Sequence, residues 1–241
     1  GINRSPHYFT LVLSANKARL FESNRDQLTE VFTNGFPMIS DLPLYEFNPT
    51  DLSREKEKKL KDFFNRVDKA YHDMDKSGSM MLTLVGVQKN IGYFREVTNR
   101  RNQIIAWLEG NYDDKSAHEI GKHIWPLVKE HIDHIRHNVL KELNNAVGAH
   151  KYVSGLNEVW RMADEGRMRL LIVEEGFRQM ALLNNDNSLV IAEGTPFQSR
   201  GYLNDVVDDV AEKVIETGGR VVFVDDGSLK EHQRIAAVLR Y

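Results

Sequence analysis

The 241-residue chain contains no cysteine. A disulfide framework, a thiolate nucleophile and a thiolate metal site are thereby excluded together, and a reducing compartment fits. No apolar run approaches the roughly 20 residues that span a bilayer, and the opening Gly-Ile-Asn-Arg-Ser-Pro has no hydrophobic signal core. A soluble, cytoplasmic protein without membrane contact is expected, and the absence of Met at position 1 suggests a processed or added start. Basic excess is lacking as well: 32 Lys and Arg face 35 Asp and Glu, for a formal net charge of −3. That balance excludes a general nucleic-acid coat and DNA as a partner, so any RNA contact must be local. Proline is scarce. Of six in all, Pro37, Pro43 and Pro49 fall between Thr33 and Leu52, where with Gly35 they predict an irregular surface loop.

What is present reads as α/β. With 41% hydrophobic and 28% charged residues the chain can bury a core, and its length suits two domains of roughly 100 to 150 residues. Three β-rich runs, Tyr8 to Ser14, Lys17 to Ser23 and Gln27 to Phe32, predict a meander, the first two joined by the tight turn Ala15-Asn16. A helix beginning near Ser53 carries the stripe Leu60, Phe63, Phe64, Val67, Ala70 and Tyr71. The apolar run Met80 to Val87 predicts a strand covered on both faces. A short helix with Ile91, Phe94 and Val97 and a strand over Gln103 to Leu108 complete the order βββαβαβ, the topology of RNase H-like folds. Ser116 with Glu119 forms a capping box for a long helical connector through Val139, which Pro126 is expected to kink or divide.

The second half predicts a helix with Leu156, Val159, Trp160 and Ala163 on one face, a stop at Gly166 and a buried strand Leu170 to Val173. The stretch Asn184 to Gly201 is polar. A helix from Leu203 to Glu216 follows, ending on Gly218-Gly219, a pair read as an ordinary αβ loop. The strand Val221 to Val224 and the closing Arg234 to Tyr241 complete a small α/β sandwich, expected to be mostly parallel. The expected division is 1–114, an RNase H-like domain, and 115–241, the connector helix with a small three-layer α/β domain.

Catalytic constellations are sparse. His131, His134 and His137 recur at helical spacing among His118, His123, Glu130 and Asp133, but HExxH is absent, and solvated or interfacial histidines are the plainer reading. No metal and no cofactor are expected. Phe9 to Ser14 and Met80 to Val87 lack the carboxylates that a nuclease sheet needs to hold divalent cations. Basic residues cluster twice. Arg54, Lys56, Lys58, Lys59 and Lys61 are interleaved with acids and read as a solvated helix face with i,i+4 pairs. Lys89, Arg95, Arg100 and Arg101 are less compensated and stand beside Tyr93 and Phe94. They are the candidate RNA-binding residues, with Phe94 open to either stacking or core.

Leu156-Asn-Glu-Val159, Ala163, Gly166, Leu170-Leu-Ile-Val173 and the closing Ile235-Ala-Ala-Val-Leu-Arg-Tyr241 resemble the last domain of archaeal and eukaryotic class-1 release factors and Pelota. Asp41-Leu42-Pro43 ahead of the basic helix is similar to a segment of their RNase H-like middle domain. Over about residues 8 to 241, the chain resembles the bacterial release-factor-like family of archaeo-eukaryotic type, whose members lack the codon-reading first domain. The resemblance implies a ribosome or tRNA partner and a protein partner at the C-terminal domain. It also exposes a departure, because Leu44 to Leu52 stands where class-1 factors carry Gly-Gly-Gln, and that tripeptide occurs nowhere. Binding in ribosome rescue or regulation, without assigned catalysis, is the expected function. A hydrolase acting on tRNA or RNA through the Thr33 to Leu52 loop and a pure protein-interaction module are the alternatives.

Overall fold

The computed structural model describes residues 1–41, 52–191 and 202–241. They pack as two compact units, Ser5–Ile132 and Gly1–Arg4 with Asp133–Tyr241. The expectations for Leu42 to Asp51 and for residues 192–201 lie outside the described residues.

The first unit is RNase H-like. Its strands are β1 (His7–Leu13), β2 (Lys17–Asn24), β3 (Gln27–Glu30), β4 (Met38–Ile39), β5 (Met81–Gly86) and β6 (Ile104–Glu109), in the sheet order β3-β2-β1-β5-β6 with β4 on β2. β1 and β2 are antiparallel with Leu13 opposite Ala18, so the hairpin turn falls on Ala15-Asn16. β5 runs parallel to β1 and β6 parallel to β5. Those two connections carry the helices α1 (Leu52–Met74) and α2 (Gln88–Val97), as parallel neighbours require a crossover.

Strand alternation divides the core into two faces. Phe9, Leu11, Leu13, Leu82 and Leu84 meet Leu60, Phe63, Phe64, Val67 and Tyr71 of α1 and Ile91 and Phe94 of α2. Tyr8, Val12, Phe21 and Val85 meet Ile120, Ile124 and Val128 of the next helix, α3 (Ala117–Gly148). Full burial of a side chain such as Phe63 or Phe64 contributes about 1.5–3 kcal/mol. Between β1, β2 and β5 the buried hydroxyls satisfy one another: Thr83 Oγ1 donates to Thr10 Oγ1 at 2.9 Å, and Thr10 Oγ1 lies 3.0 Å from Ser23 Oγ.

Two expectations change here, and one open choice is decided. The Thr33 to Asp41 part of the loop is not wholly superficial, since Phe36 is buried and Met38 pairs with Ala18. Pro126 does not divide the connector, because α3 continues through it. Phe94 is core. The α3 start agrees with its predicted cap: Ser116 Oγ accepts from the Glu119 amide at 3.2 Å.

The second unit has three layers. Its central sheet has the order β12-β8-β13-β7, with β7 (Tyr152–Ser154), β8 (Met168–Glu174), β12 (Arg220–Val224) and β13 (Ile235–Leu239). Val139, Leu143 and Ala146 of α3 cover one face through Leu170 and Ile172. The other face, with Leu171 and Val173, is covered by α4 (Leu156–Asp164) and α5 (Val206–Glu216). The sheet is mixed, which corrects the mostly parallel expectation. β8 and β12 are parallel, but β13 is antiparallel to both β8 and β7. Only residues 225–234, containing a short 3-10 turn Lys230–His232, join β12 to β13, too few for the crossover that a parallel return demands.

A second, three-stranded sheet has the order β10-β9-β11, formed by β9 (Ala181–Leu183), β10 (Leu189–Ile191) and β11 (Tyr202–Leu203). Leu203, expected in the last helix, belongs to it. α5 begins instead at its cap, where Asp205 Oδ1 accepts from the Val207 amide at 3.2 Å.

Candidate nucleic-acid interface

The less compensated basic cluster falls on α2 and the turn into β6. Lys89 and Arg95 are exposed, as is Arg101, which opens the 3-10 turn Arg101–Gln103. α2 presents Lys89 and Arg95 outward because Ile91 and Phe94 hold its other face in the core. The turn itself is tied to α1. Thr98 Oγ1 donates to buried Asp68 at 2.8 Å and accepts from the Arg100 amide at 3.1 Å.

Arg100 departs from the other three. Its side chain is 20% exposed and forms a 3.7 Å ion pair with Asp75, whose side chain is 2% exposed, and it also donates to the Asp75 carbonyl. Asp75 accepts from Ser77 Oγ at 2.8 Å, from the Met80 amide at 3.2 Å and from Gln103 Nε2 at 2.7 Å. Burial pushes the Asp75 carboxyl up, but those donors and the Arg100 charge outweigh it and hold the group below its ordinary value. Of the four candidate RNA-binding residues, Lys89, Arg95 and Arg101 are therefore exposed, and Arg100 instead braces the turn.

The Arg101 guanidinium donates to the Arg95 and Glu96 carbonyls, closing the C-terminal end of α2. Arg95 lies over the Trp107 ring, with its guanidinium carbon 4.4 Å from the ring centroid. Trp107 is opposite Leu84 in the register and shares the face that α1 and α2 cover. It sits on the edge strand β6, where that cover thins, and is 40% exposed. Periodicity missed this residue, because Gln103 to Leu108 reads as one buried run until the strand order is known. Lys89 and Lys61 both lie against Tyr93, at 5.7 and 5.1 Å from its ring centroid. Lys61 is neutralised by Glu57 and Glu96, each at 2.8 Å. Hydrogen bonds to both carboxylates raise its pKa, and the bond to Lys61 lowers that of Glu57. With Lys59 on Glu55 at 3.4 Å, the first basic cluster carries the expected i,i+4 pairs.

Elsewhere in this unit an open cleft of about 280 Å³ is lined by Ser40, Asp41, Lys59, Asp62 and Arg66. Its two acids face two bases, and Arg66 pairs with Asp41 at 3.5 Å. Among the described residues no three His, Asp or Glu side chains are placed to hold a metal ion, and His123 packs edge-on against Tyr112 at 5.9 Å. No described helix is long and apolar enough to cross a membrane. In the other unit the acidic face of α5 is partly engaged: Arg4, buried, pairs with Asp205 at 3.1 Å and Asp208 at 2.7 Å. Glu212, Ile215 and Glu216 remain exposed.

An RNase H-like sheet joined to a three-layer α/β domain, without Gly-Gly-Gln, narrows the possible relatives. Residues 7–167 match the model of bacterial archaeo-eukaryotic release factor family 3. The chain belongs to that family. The match covers every strand and helix of the RNase H-like unit and extends through α4. No curated protein matches the chain.

Among solved structures, this family 3 chain is similar to one described as ribosome-bound archaeal Pelota and ABCE1, at 16% identity and a TM-score of 0.57, covering 97% of this chain and 61% of the other. Archaeoglobus fulgidus Pelota aligns at 17% identity with a TM-score of 0.39 over 98% of this chain and 65% of its own. Saccharomyces cerevisiae Dom34, described as a termination-like factor that interacts with Hbs1, aligns at 13% and 0.45 over 100% and 65%. The chain thus spans less than two thirds of these proteins' length. At 16% identity, the likeness to the ribosome-bound Pelota structure, whose TM-score exceeds 0.5, shows the fold alone.

Proposed function

We propose that this release-factor family member binds the ribosome through local RNA contact at Lys89, Arg95 and Arg101, with Arg100 as a positioning residue, and acts without releasing peptide. The observation carrying this reading is the Arg95 guanidinium over the Trp107 ring on an exposed sheet edge, with Arg101 bonded to the Arg95 carbonyl and Lys89 exposed on the same helix, in a chain whose net charge is −3. Stacking surface beside phosphate-binding charge is the usual composition of a single-strand RNA contact. The similarity to a ribosome-bound Pelota fold supports the same assignment. Residues 1–114 carry the RNA contact in this reading. Residues 115–241 carry contact with a protein partner at the exposed Glu212, Ile215 and Glu216 of α5. A cytoplasmic location and tRNA as part of the bound target follow from the same assignment.

Peptide release is left out because ester hydrolysis needs a positioned water, and placement supplies roughly 7 to 11 kcal/mol of barrier reduction. The sequence lacks the Gly-Gly-Gln that its resemblance to class-1 factors associates with that water. A second reading, a hydrolase acting on tRNA or RNA, is favoured by the charged cleft at Ser40, Asp41, Lys59, Asp62 and Arg66. A release assay on programmed ribosomes separates the two. The chain should cosediment with the ribosomes and liberate peptide no faster than buffer. Rapid liberation, abolished in Glu46→Ala or Asn48→Ala, would establish the hydrolase reading instead.

A further inference from the structure

The geometry points to Trp107 and Arg95 as a stacking platform for one unpaired RNA base, a specific role for an aromatic residue that the basic cluster alone would not require. This inference rests on the RNA-contact reading above and names the form of RNA taken. A tryptophan on an edge strand, 40% exposed, leaves a large apolar ring within reach of solvent, at a cost of about 25 cal/mol per Å² of apolar area not buried. Its partner is already in place: the Arg95 guanidinium stands 4.4 Å from the ring centroid, a cation–π distance.

Arg95, whose guanidinium lies over the indole, is itself exposed, and both guanidinium planes and aromatic rings accept unstacked bases. Arg95 is fixed at its backbone as well as its side chain, since its carbonyl receives the Arg101 guanidinium. Arg101, bonded to the Arg95 carbonyl, supplies positive charge for a phosphate next to the stacked base, and Lys89, exposed on the same helix, supplies it further along the strand. Paired bases expose no free ring face, so the platform selects single-stranded segments, loops or bulges over duplex. Charge complementarity makes RNA the occupant instead of an apolar protein segment, which would offer Arg95 and Arg101 no opposite charge.

The test uses the full chain and a short fluorescently labelled single-stranded RNA of mixed sequence, alongside the same sequence as a duplex. Affinities are measured over a salt series. Trp107→Ala should weaken single-strand binding about 5- to 150-fold, the range that loss of one stacked base produces, with the salt slope unchanged. Trp107→Phe should bind within a few-fold of the parent, which separates loss of stacking from misfolding. The duplex should bind weakly and be indifferent to Trp107→Ala.

Unchanged single-strand affinity in Trp107→Ala overturns the platform. If Lys89, Arg95 and Arg101 replaced together by Ala still lose binding in that case, the broader RNA-contact reading survives; if they do not, both fall. A Trp107→Ala chain that loses ribosome co-sedimentation but keeps oligonucleotide affinity would mark the platform as a protein contact, and that too overturns it.

Discussion

Asp75 shows how one buried carboxylate organises the surface proposed to contact RNA. It receives Ser77, Met80 and Gln103 as donors and Arg100 as counter-ion, so it joins the end of α1 to the turn that carries Arg101. Its folded pKa lies below its ordinary value. The stabilisation is therefore complete above the unfolded carboxylate pKa of about 3.9 and is lost as pH falls through the lower folded value. Asp75→Asn should destabilise the protein by about 2 kcal/mol at pH 7, the scale of hydrogen bonds to a charged group in a buried setting. The difference from the parent should shrink in urea titrations at progressively lower pH below 4. A gap that persists undiminished at acid pH would mean that shape, and not charge, holds the turn. Arg100 was legible as a basic residue but not as a brace, because its partner stands 25 positions earlier and only the fold brings them together.

At the scale of elements, the αβ loop after α5 illustrates what local patterning can specify. Gly218 adopts φ +79°, and its amide and that of Gly219 donate to the Ile215 and Val214 carbonyls at 3.0 and 2.7 Å, as expected of a glycine-terminated helix. The two glycines differ in consequence. A Cβ on Gly218 would meet nothing closer than 3.9 Å, so Gly218→Ala should cost about 1 kcal/mol, the conformational penalty alone. On Gly219 it would fall 2.6 Å from Val214 Cγ1 and 2.8 Å from the Met168 carbonyl oxygen. Since one of those neighbours is backbone, Gly219→Ala should be the more damaging change, measurable as the larger drop in thermal midpoint. Equal effects would contradict this packing. α1 was readable from its 3.6-residue stripe and β8 from its apolar run, whereas the short strands β4, β7, β9, β10 and β11 carry no such pattern and were not read. The direction of β13 was not readable, because its apolar run is the same in either orientation and the 225–234 connection decides it. The exposure of Trp107 escaped for a similar reason, since edge and centre are properties of strand order.

For the whole molecule, a family match over residues 7–167, a net charge of −3 and an exposed Lys89, Arg95 and Arg101 cluster combine into a single expectation. Binding must be local and strongly salt-dependent, since charge away from α2 does not assist it. The family resemblance was legible in Leu156 to Val159, Ala163 and Gly166, which lie within the matched residues 7–167; Leu170 to Val173 and Ile235 to Tyr241, which also suggested it, lie beyond them. The proposed interface was legible only as a run of basic residues until the contacts of Arg100 with Asp75 and of Arg95 with Trp107 set the arginines apart. The most direct measurement is co-sedimentation with ribosomes over a salt series for the parent and for the chain with Lys89, Arg95 and Arg101 all replaced by Ala. Each phosphate contact contributes close to one unit to the log–log slope. The parent should bind with a steep slope, and the variant should bind more weakly with the slope reduced by about two to three units. A parent that fails to sediment, or a variant with the same slope and affinity, would contradict the account.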